Sequence, residues 1–244
     1  MSLRNIFLDD GGVMNDNSVR GPQWQWLVGE FMALRLGREP RDWAEANRNS
    51  FEETFRQYEP KFRNELLTDI WNDYLFDWLQ MMCEQVGVSV PKREDAVSIA
   101  SEAHSYITRR VHAAFPGVVD TIRELHTAGY HLHTASGGRS HELAGYLEAM
   151  GVRDLFGRLY GPDLVGLPLQ GPQYYRRLFE DSGSEAEKSV VVDDSLERAA
   201  WVMEAGAVAV LVSPSGPASN VHCPIISSLA ELPSLLQTLA AACV

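Results

Sequence analysis

The stretch that decides the fold is Asn5-Ile6-Phe7-Leu8-Asp9-Asp10-Gly11-Gly12-Val13-Met14. Its first four residues suit a buried strand, because a short apolar run without alternation is typical of a parallel strand covered on both faces. Two carboxylates and two glycines follow at once, and the backbone at a glycine can approach a ligand closely. An isolated Asp-Asp-Gly-Gly is more often an ordinary solvated turn, so the rest of the chain must decide between a turn and a binding site.

A mostly helical segment follows this strand. Apolar residues at spacings of three and four predict helices over residues 22–36, 41–58, 63–86 and 92–112. Five of the six tryptophans lie in this segment, and aromatic residues at helical spacing more often pack in a core than line a ligand site. The sequence therefore predicts a helical domain, residues 16–112, inserted into a second domain formed by residues 1–15 and 113–244.

Strands and helices alternate in the remainder of the chain. Strands are predicted over residues 130–136, 157–160, 189–193 and 207–212, and the helices between them end near glycines. Because strands that alternate with helices in this way are joined by right-handed crossovers, they form a parallel sheet. The predicted fold class is α/β, with a parallel sheet and an inserted helical domain.

The composition argues against several classes of partner. The 33 acidic residues outnumber the 21 basic ones and give a net charge of −12; nucleic acid and anionic membranes both require a basic face. The cysteines, Cys83, Cys223 and Cys243, are few, distant and odd in number, which is typical of free thiols in a reducing compartment. No apolar run reaches the ~18 residues of a membrane span, and no signal peptide is recognisable. We expect a cytoplasmic protein whose oligomeric state the sequence leaves open.

Polar side chains stand at the carboxyl ends of three predicted strands. These groups are Asp9-Asp10, Ser136-Gly137-Gly138 and Asp193-Asp194-Ser195. Ligands of an open parallel sheet bind outside the carboxyl ends of its strands, so the three groups should converge. Four carboxylates in one crevice repel one another unless a cation lies among them, and oxygen ligands without His or Cys indicate Mg²⁺. A metal beside a carboxylate nucleophile favours phosphoryl transfer.

The chain resembles the haloacid dehalogenase (HAD) superfamily, in the subgroup with a helical cap inserted just after the first strand. The first motif, Leu8-Asp-Asp-Gly-Gly-Val-Met14, is similar to the family's Asp-x-(Asp)-Gly-(Thr/Val)-Leu. The resemblance implies that Asp9 is the nucleophile and that the fold is a Rossmann-like parallel sheet with an all-helical cap. It also implies a small-molecule phosphorylated substrate and a Mg²⁺ cofactor.

Two further motifs carry the resemblance. In Leu132-His-Thr-Ala-Ser136 the family's phosphate-binding hydroxyl falls on Ser136, which with the Gly137 amide would hold a phosphoryl oxygen. In Val190-Val-Val-Asp-Asp-Ser195 the resemblance implies that Asp193 and Asp194 complete the metal site.

One departure from the family pattern concerns proton transfer. The residue two positions after the nucleophile is normally a second Asp, which protonates the leaving oxygen, and here it is Gly11. The carbonyl of Gly11 could still bind the metal, but a glycine cannot transfer a proton. Loss of such a group typically lowers a rate by ~10²–10⁴-fold.

A second departure concerns positive charge. The family's lysine precedes a Pro-x-Pro-Glu-type segment, and aligning Pro172-Gln-Tyr-Tyr175 with it puts Leu169 at the lysine position. The chain has only three lysines, and none is easily placed at the site: Lys61, Lys92 and Lys188. The candidates for the missing charge, and for phosphate binding, are therefore Arg139 and Arg158.

Several functions remain open at this stage. The expected one is a Mg²⁺-dependent phosphatase of a small metabolite that acts through an aspartyl-phosphate on Asp9. A catalytically weak or silent binding protein is an alternative, because Gly11 and Leu169 remove two catalytic groups. Carbon–halogen hydrolysis is another, since halide leaves without a proton, although that branch keeps its lysine and does not need an acidic metal pair. Phosphonate cleavage with a cap lysine such as Lys61 is a further alternative, although the residues around Lys61 do not resemble that branch.

Overall fold

A computed structural model describes residues 3–214, 216 and 222–242. Among these residues a six-stranded parallel sheet forms in the order β3-β2-β1-β4-β5-β6. Its strands are β1 (Asn5–Leu8), β2 (His131–Ala135), β3 (Phe156–Tyr160), β4 (Ser189–Asp193), β5 (Val208–Val212) and β6 (Ile225–Ile226). The α/β fold with a parallel sheet is confirmed. The short edge strand β6 was not predicted, because two residues carry no periodic pattern.

Ten helices accompany the sheet in the described part of the chain. They are α1 (Asn17–Leu36), α2 (Pro40–Asn64), α3 (Leu67–Val86), α4 (Arg93–Thr108), α5 (Val118–Thr127), α6 (Ser140–Ala149), α7 (Pro162–Val165), α8 (Pro172–Ser182), α9 (Leu196–Glu204) and α10 (Leu232–Ala242). The first four form the helical cap, whereas α5, which also precedes β2 in the chain, packs in the core of the sheet domain with the remaining helices.

Several predicted helix boundaries were wrong: for example, α3 begins at Leu67 instead of residue 63, and α4 ends at Thr108 instead of residue 112. Helix α1 begins at Asn17, before the predicted start, because the Asp16 side chain caps it by accepting a 2.8 Å hydrogen bond from the Ser18 amide. Helix α2 continues through Pro60 to Asn64. A proline inside a helix removes one backbone hydrogen bond, but packing of the apolar face outweighs that local preference.

The register of the central strands brings the motif residues to one edge. In β1, Leu8 pairs with Thr134 of β2 on one side and with Val192 of β4 on the other. The residues that follow these partners therefore meet at the carboxyl edge of the sheet, where Asp9 and Asp193 lie side by side. The two faces of β1 pack against different apolar clusters, since Ile6 and Leu8 contact one and Phe7 the other.

The cap has an apolar core of its own. Trp43 and Trp78 are fully buried in it, and Trp24 and Trp71 pack against it. The structural interpretation of the tryptophans thus holds for four of the five, whereas Trp26 is 56% exposed.

Helix α4 of the cap packs against α6 of the sheet domain. His104 Nδ1 lies 2.5 Å from Glu142 Oε1 in a buried pair. A Cβ at Gly145 would overlap the Thr108 side chain, so a glycine is needed where these two helices meet. In the described part of the chain, no helix is both long and apolar enough to cross a membrane. Cys83 and Cys223 carry free thiols, and Cys243 lies outside the described residues.

Candidate active site

The predicted nucleophile is held rigidly at the end of the central strand. The amide of Asp9 donates a 3.0 Å hydrogen bond to the Val192 carbonyl, which continues the pairing of β1 with β4. Asp9, Ser136 and Asp193 are all almost fully buried. The sheet therefore delivers the ends of β1, β2 and β4 to one place, as the three motifs predicted.

Three carboxylates form a compact cluster there. Asp9, Asp193 and Asp194 each offer an oxygen, and these oxygens lie within 4.8 Å of one another. Asp193 Oδ1 accepts a 2.8 Å hydrogen bond from the Ser195 amide. Its Oδ2 is buried and accepts no hydrogen bond from any described residue. A buried carboxylate oxygen that accepts no hydrogen bond, in a set of hard oxygen ligands, fits Mg²⁺.

Gly12 allows the third carboxylate to approach. Its φ of 85° lies in the left-handed region, and a Cβ at this position would overlap the Asp194 carboxylate. Only a glycine both adopts this turn and leaves space for the side chain above it. The second glycine of the opening stretch therefore shapes the carboxylate cluster.

The carboxylates disfavour each other's ionised form when no cation is bound. Burial, and next the charge of Asp193, raise the pKa of Asp9 to about 8, although Arg198 and a hydrogen bond from Ser136 act in the opposite direction. Burial also raises the pKa of Asp193. Two neighbouring carboxyl groups that resist ionisation together are poised to bind a cation, which would remove this penalty.

Arg198 supplies a positive charge at the site, which the sequence had led us to expect from Arg139 or Arg158. Its Nη1 lies 3.3 Å from Asp9 Oδ2 and 3.5 Å from Asp193 Oδ2. Arg198 is in the first turn of α9, and its amide donates a 3.4 Å hydrogen bond to the Ser195 hydroxyl that caps this helix. Arg198 was not among the predicted site residues. The available signal was position, since a cation in the first turn after β4 lies above the carboxyl edge of the sheet.

Leu169 lies close to Gly137, which the resemblance assigns to phosphate binding. A Cβ built on Gly137 would be 3.6 Å from Leu169 Cδ2 and 4.0 Å from Arg198 Nη2. The Leu169 side chain and the Arg198 guanidinium therefore both lie close to Gly137. The charge that a lysine at 169 would bring is offered by α9 instead.

The two arginines predicted for this charge lie in other surroundings. Neither Arg139 nor Arg158 forms a hydrogen bond or ion pair with Asp9, all three being described residues. Arg139 precedes α6 and lies over the Trp71 ring, 4.7 Å from its centroid. Arg158 is in the middle of β3, and its Nε is 4.0 Å from Asp181 on α8. Their assignment to the phosphate site stays a prediction that this geometry does not favour.

Asp10 and Arg20 form a second charged pair beside the cluster. Asp10 Oδ1 accepts a 2.6 Å hydrogen bond from Asn15, and Oδ2 is ion-paired with Arg20 Nη1 at the start of the cap. The Arg20 guanidinium also contacts Asn17 and lies over the Tyr146 ring, 5.2 Å from its centroid. Asp10 is therefore committed to local structure, and the metal-ligand set does not include it.

Comparisons with known proteins concern the family and the fold. A family model for haloacid dehalogenase-like hydrolases matches residues 17–205. No curated protein matches the chain. The fold is similar to that of a 2-haloacid dehalogenase from Pseudomonas syringae pv. Tomato DC3000, with TM-score 0.65 and 18% identity, covering 97% of this chain and 99% of that one.

Two further structures show the same fold. A HAD phosphatase from Thermococcus onnurineus has TM-score 0.58 and 18% identity, with 96% of this chain and 98% of that chain covered. The protein YfnB from Bacillus subtilis, in a structure bound to magnesium, has TM-score 0.66 and 16% identity, with 97% and 100% covered. The fold is thus shared by proteins described as dehalogenases and as phosphatases.

Proposed function

Because the chain belongs to the haloacid dehalogenase-like hydrolases, we propose that it is a Mg²⁺-dependent phosphatase of a small phosphorylated metabolite. The observation that carries this proposal is the cluster of Asp9, Asp193 and Asp194, whose oxygens lie within 4.8 Å of one another and include a buried Asp193 oxygen that accepts no hydrogen bond from a described residue. Phosphoryl chemistry needs such a cation site, because charge on the transferred group must be neutralised. Carbon–halogen hydrolysis places no such demand on the protein.

Each residue of the site has a proposed role. Mg²⁺ would be held by Asp9, Asp193, Asp194 and the Gly11 carbonyl. When bound, it would neutralise negative charge on the phosphoryl group. The Ser136 hydroxyl and the Gly137 amide hold a phosphoryl oxygen. Arg198 provides the fixed positive charge between the nucleophile and the metal ligands, in the place of the family's lysine.

The proposed reaction proceeds in two displacements. An oxygen of Asp9 attacks phosphorus, the bond from phosphorus to the leaving oxygen breaks, and the leaving oxygen keeps the electron pair. Water then attacks the phosphorus of the aspartyl-phosphate, giving up a proton to solvent, and releases inorganic phosphate and the Asp9 carboxylate. Ser136 and Arg198 hold the phosphoryl group and the nucleophile in line through both displacements.

The cap completes the proposal. We assign it to residues 16–112, with the sheet domain formed by residues 1–15 and 113–244, and we place its role in covering the carboxyl edge of the sheet and selecting the leaving group. The partner is then a small molecule rather than nucleic acid or a membrane, and we propose a cytoplasmic location.

Dehalogenation is the second candidate, and Gly11 is the observation that favours it. A halide departs without a proton, so a site without an acid at position 11 loses nothing in that reaction. The ion pair of Arg198 with Asp9 would orient the same nucleophile for attack on carbon. Against this candidate stands the carboxylate cluster, which has no role in that chemistry.

A direct assay separates these functions. We expect a panel of phosphate compounds to be hydrolysed with Mg²⁺ but not with EDTA, and we expect Asp9→Asn to abolish turnover. Release of chloride from chloroacetate without metal, with no phosphatase activity, would establish the dehalogenase instead. If neither reaction occurs while Mg²⁺ and beryllofluoride still bind, the protein is a silent binding member of the family.

A further inference from the structure

The position normally held by the proton-transferring acid is occupied by a different kind of group. A Cβ on Gly11 would lie 2.7 Å from Arg20 Nη2 and 2.9 Å from Asn17 Oδ1. The space into which an acidic side chain would extend is therefore filled by a guanidinium and a carboxamide. Neither group donates a proton near neutral pH, because a guanidinium stays charged and an amide does not ionise.

Three neighbouring side chains contact the guanidinium in this place. Its side chain is 21% exposed, and it pairs with Asp10, contacts Asn17 and lies over the Tyr146 ring. Burial alone would lower the pKa of Arg20, but the charge of Asp10 raises it. Arg20 is thus a permanent cation within electrostatic reach of the nucleophile.

No other nearby group replaces the acid among the residues that the structure describes. Both oxygens of Asp10 are occupied by Asn15 and Arg20. Asp193 and Asp194 belong to the metal cluster. Tyr146 lies behind the Arg20 guanidinium, and burial raises its pKa well above the ordinary value, so its phenol is a poor proton donor. The site can bind and attack a phosphoryl group but cannot protonate what leaves.

We propose, on the basis of the proposed phosphatase function, that the substrates are acyl phosphates and related mixed anhydrides rather than alkyl phosphate esters. In an acyl phosphate, Asp9 attacks phosphorus, the phosphorus–oxygen bond breaks, and the acyl oxygen keeps the electron pair as a carboxylate. That anion needs no proton, since carboxylic acids have a pKa of about 4, whereas an alkoxide is almost as basic as hydroxide and must be protonated as it leaves. The positive charge of Arg20 favours a departing anion and offers nothing to an alcohol that must be protonated.

The test is the dependence of rate on the leaving group. Acetyl phosphate, a series of substituted phenyl phosphates and glycerol 3-phosphate are compared by kcat/KM with Mg²⁺, with Asp9→Asn as the blank for spontaneous hydrolysis. We expect kcat/KM to fall steeply as the leaving group becomes more basic, with glycerol 3-phosphate at background. Equal turnover of acetyl phosphate and glycerol 3-phosphate would overturn the inference while leaving the phosphatase function intact.

Two matched variants sharpen this test. Gly11→Asp brings back the acid, and the groups it meets are the flexible ends of Arg20 and Asn17, which can shift. It should raise the rate on glycerol 3-phosphate by ~10²-fold or more. Gly11→Asn, which has a side chain of equal size but no ionisable proton, should not raise this rate. Equal effects of the two variants would also overturn the inference. Background rates on every compound, acetyl phosphate included, would instead mean that the proposed function itself has failed.

Discussion

The guanidinium of Arg198 lies 3.3 Å from the carboxylate of Asp9, although 189 residues separate them in the chain. The same Nη1 is 3.5 Å from Asp193, so one cation bridges the ends of β1 and β4. Arg198 is about one-third exposed, which leaves it open to a substrate above the sheet. The resemblance places Leu169 at the family's lysine position, and we propose that Arg198, which also lies close to Gly137, provides the charge of that lysine.

Removal of Arg198 should impair catalysis more than folding. Arg198→Ala takes away the charge that stabilises the ionised nucleophile, and we expect kcat to fall by ~10²–10³-fold, as for other groups that stabilise developing charge. Arg198→Lys should retain part of the activity. Steady-state kinetics with circular dichroism as a folding check measure both effects.

A second substitution, Leu169→Lys, should compensate for the loss of activity in Arg198→Ala. Because Leu169 and Arg198 flank the same point beside Gly137, a lysine at 169 should restore activity when Arg198 is alanine and do little when Arg198 is present. This coupling is measured by a double-mutant cycle. Additive effects of the two changes would show that Arg198 does not replace the lysine.

Gly12 should be essential to the metal site. Gly12→Ala imposes a side chain at φ 85° and overlaps Asp194, so we expect the Asp194 carboxylate to be displaced and Mg²⁺ affinity to fall at least tenfold, or about 1.4 kcal/mol. Isothermal titration with Mg²⁺ measures this change. Gly37→Ala is the control, since Gly37 also has a positive φ of 79° but has open space around its Cβ position. Equal Mg²⁺ affinity in both variants would contradict the role of Gly12.

The sequence predicts those parts of the fold and site that are marked by a local pattern of residues. Apolar runs and glycine turns revealed β1, β2 and β4, and the parallel register then forces Asp9, Ser136 and Asp193 together. Arg198 and Arg20 were not found, because a single arginine on a helix is usually a solvated residue and no periodic pattern marks it. The contact of His104 with Glu142 was also not predicted, because it depends on how α4 packs on α6.

The metal-free protein should lose stability as the pH rises. The folded state holds a proton on Asp9 with a pKa of about 8, against an ordinary value of 3.8. Folding therefore binds a proton between these values, and the stability that this proton provides is present below about pH 4 and lost as the pH passes about 8. Asp9→Asn, which is never charged, should be more stable than the wild type in EDTA above about pH 8, by up to a few kcal/mol, and similar to it below about pH 4.

Thermal unfolding across this pH range measures the difference. Added Mg²⁺ should raise the melting temperature of the wild type at high pH, because a ligand that binds only the folded state stabilises it. The same ion should have little effect on Asp9→Asn. A wild type that gains stability relative to Asp9→Asn as the pH rises in EDTA would show that Asp9 is not a buried acid.

The buried pair between His104 and Glu142 should hold the cap in place. Burial alone would raise the pKa of Glu142, but the hydrogen bond and charge of His104 lower it below 4.5. The stability it gives is therefore present above about pH 4.5 and lost as the pH falls further. Glu142→Gln should reduce the free energy of unfolding by ~1–3 kcal/mol and increase hydrogen exchange in α4.

The same two segments provide a control for that prediction. Arg109 and Glu148 form an exposed pair with a 2.6 Å contact between the end of α4 and α6. Because exposed pairs contribute little, Glu148→Gln should cost less than about 1 kcal/mol. A similar cost for the two substitutions in urea unfolding would mean that the buried pair has no special part in docking the cap.

The aspartyl-phosphate on Asp9 should accumulate during turnover. A missing acid/base also leaves the second displacement without a group to take the proton of the attacking water, which slows it by ~10²–10⁴-fold. With an acyl phosphate the first displacement needs no proton, so hydrolysis of the intermediate becomes the slow step and a burst of carboxylate release precedes steady turnover. Intact-protein mass spectrometry after rapid acid quenching should show one phosphoryl group on the wild type, less on Gly11→Asp and none on Asp9→Asn. Steady turnover of acetyl phosphate without a burst and without a phosphorylated species would contradict the missing-base interpretation of Gly11.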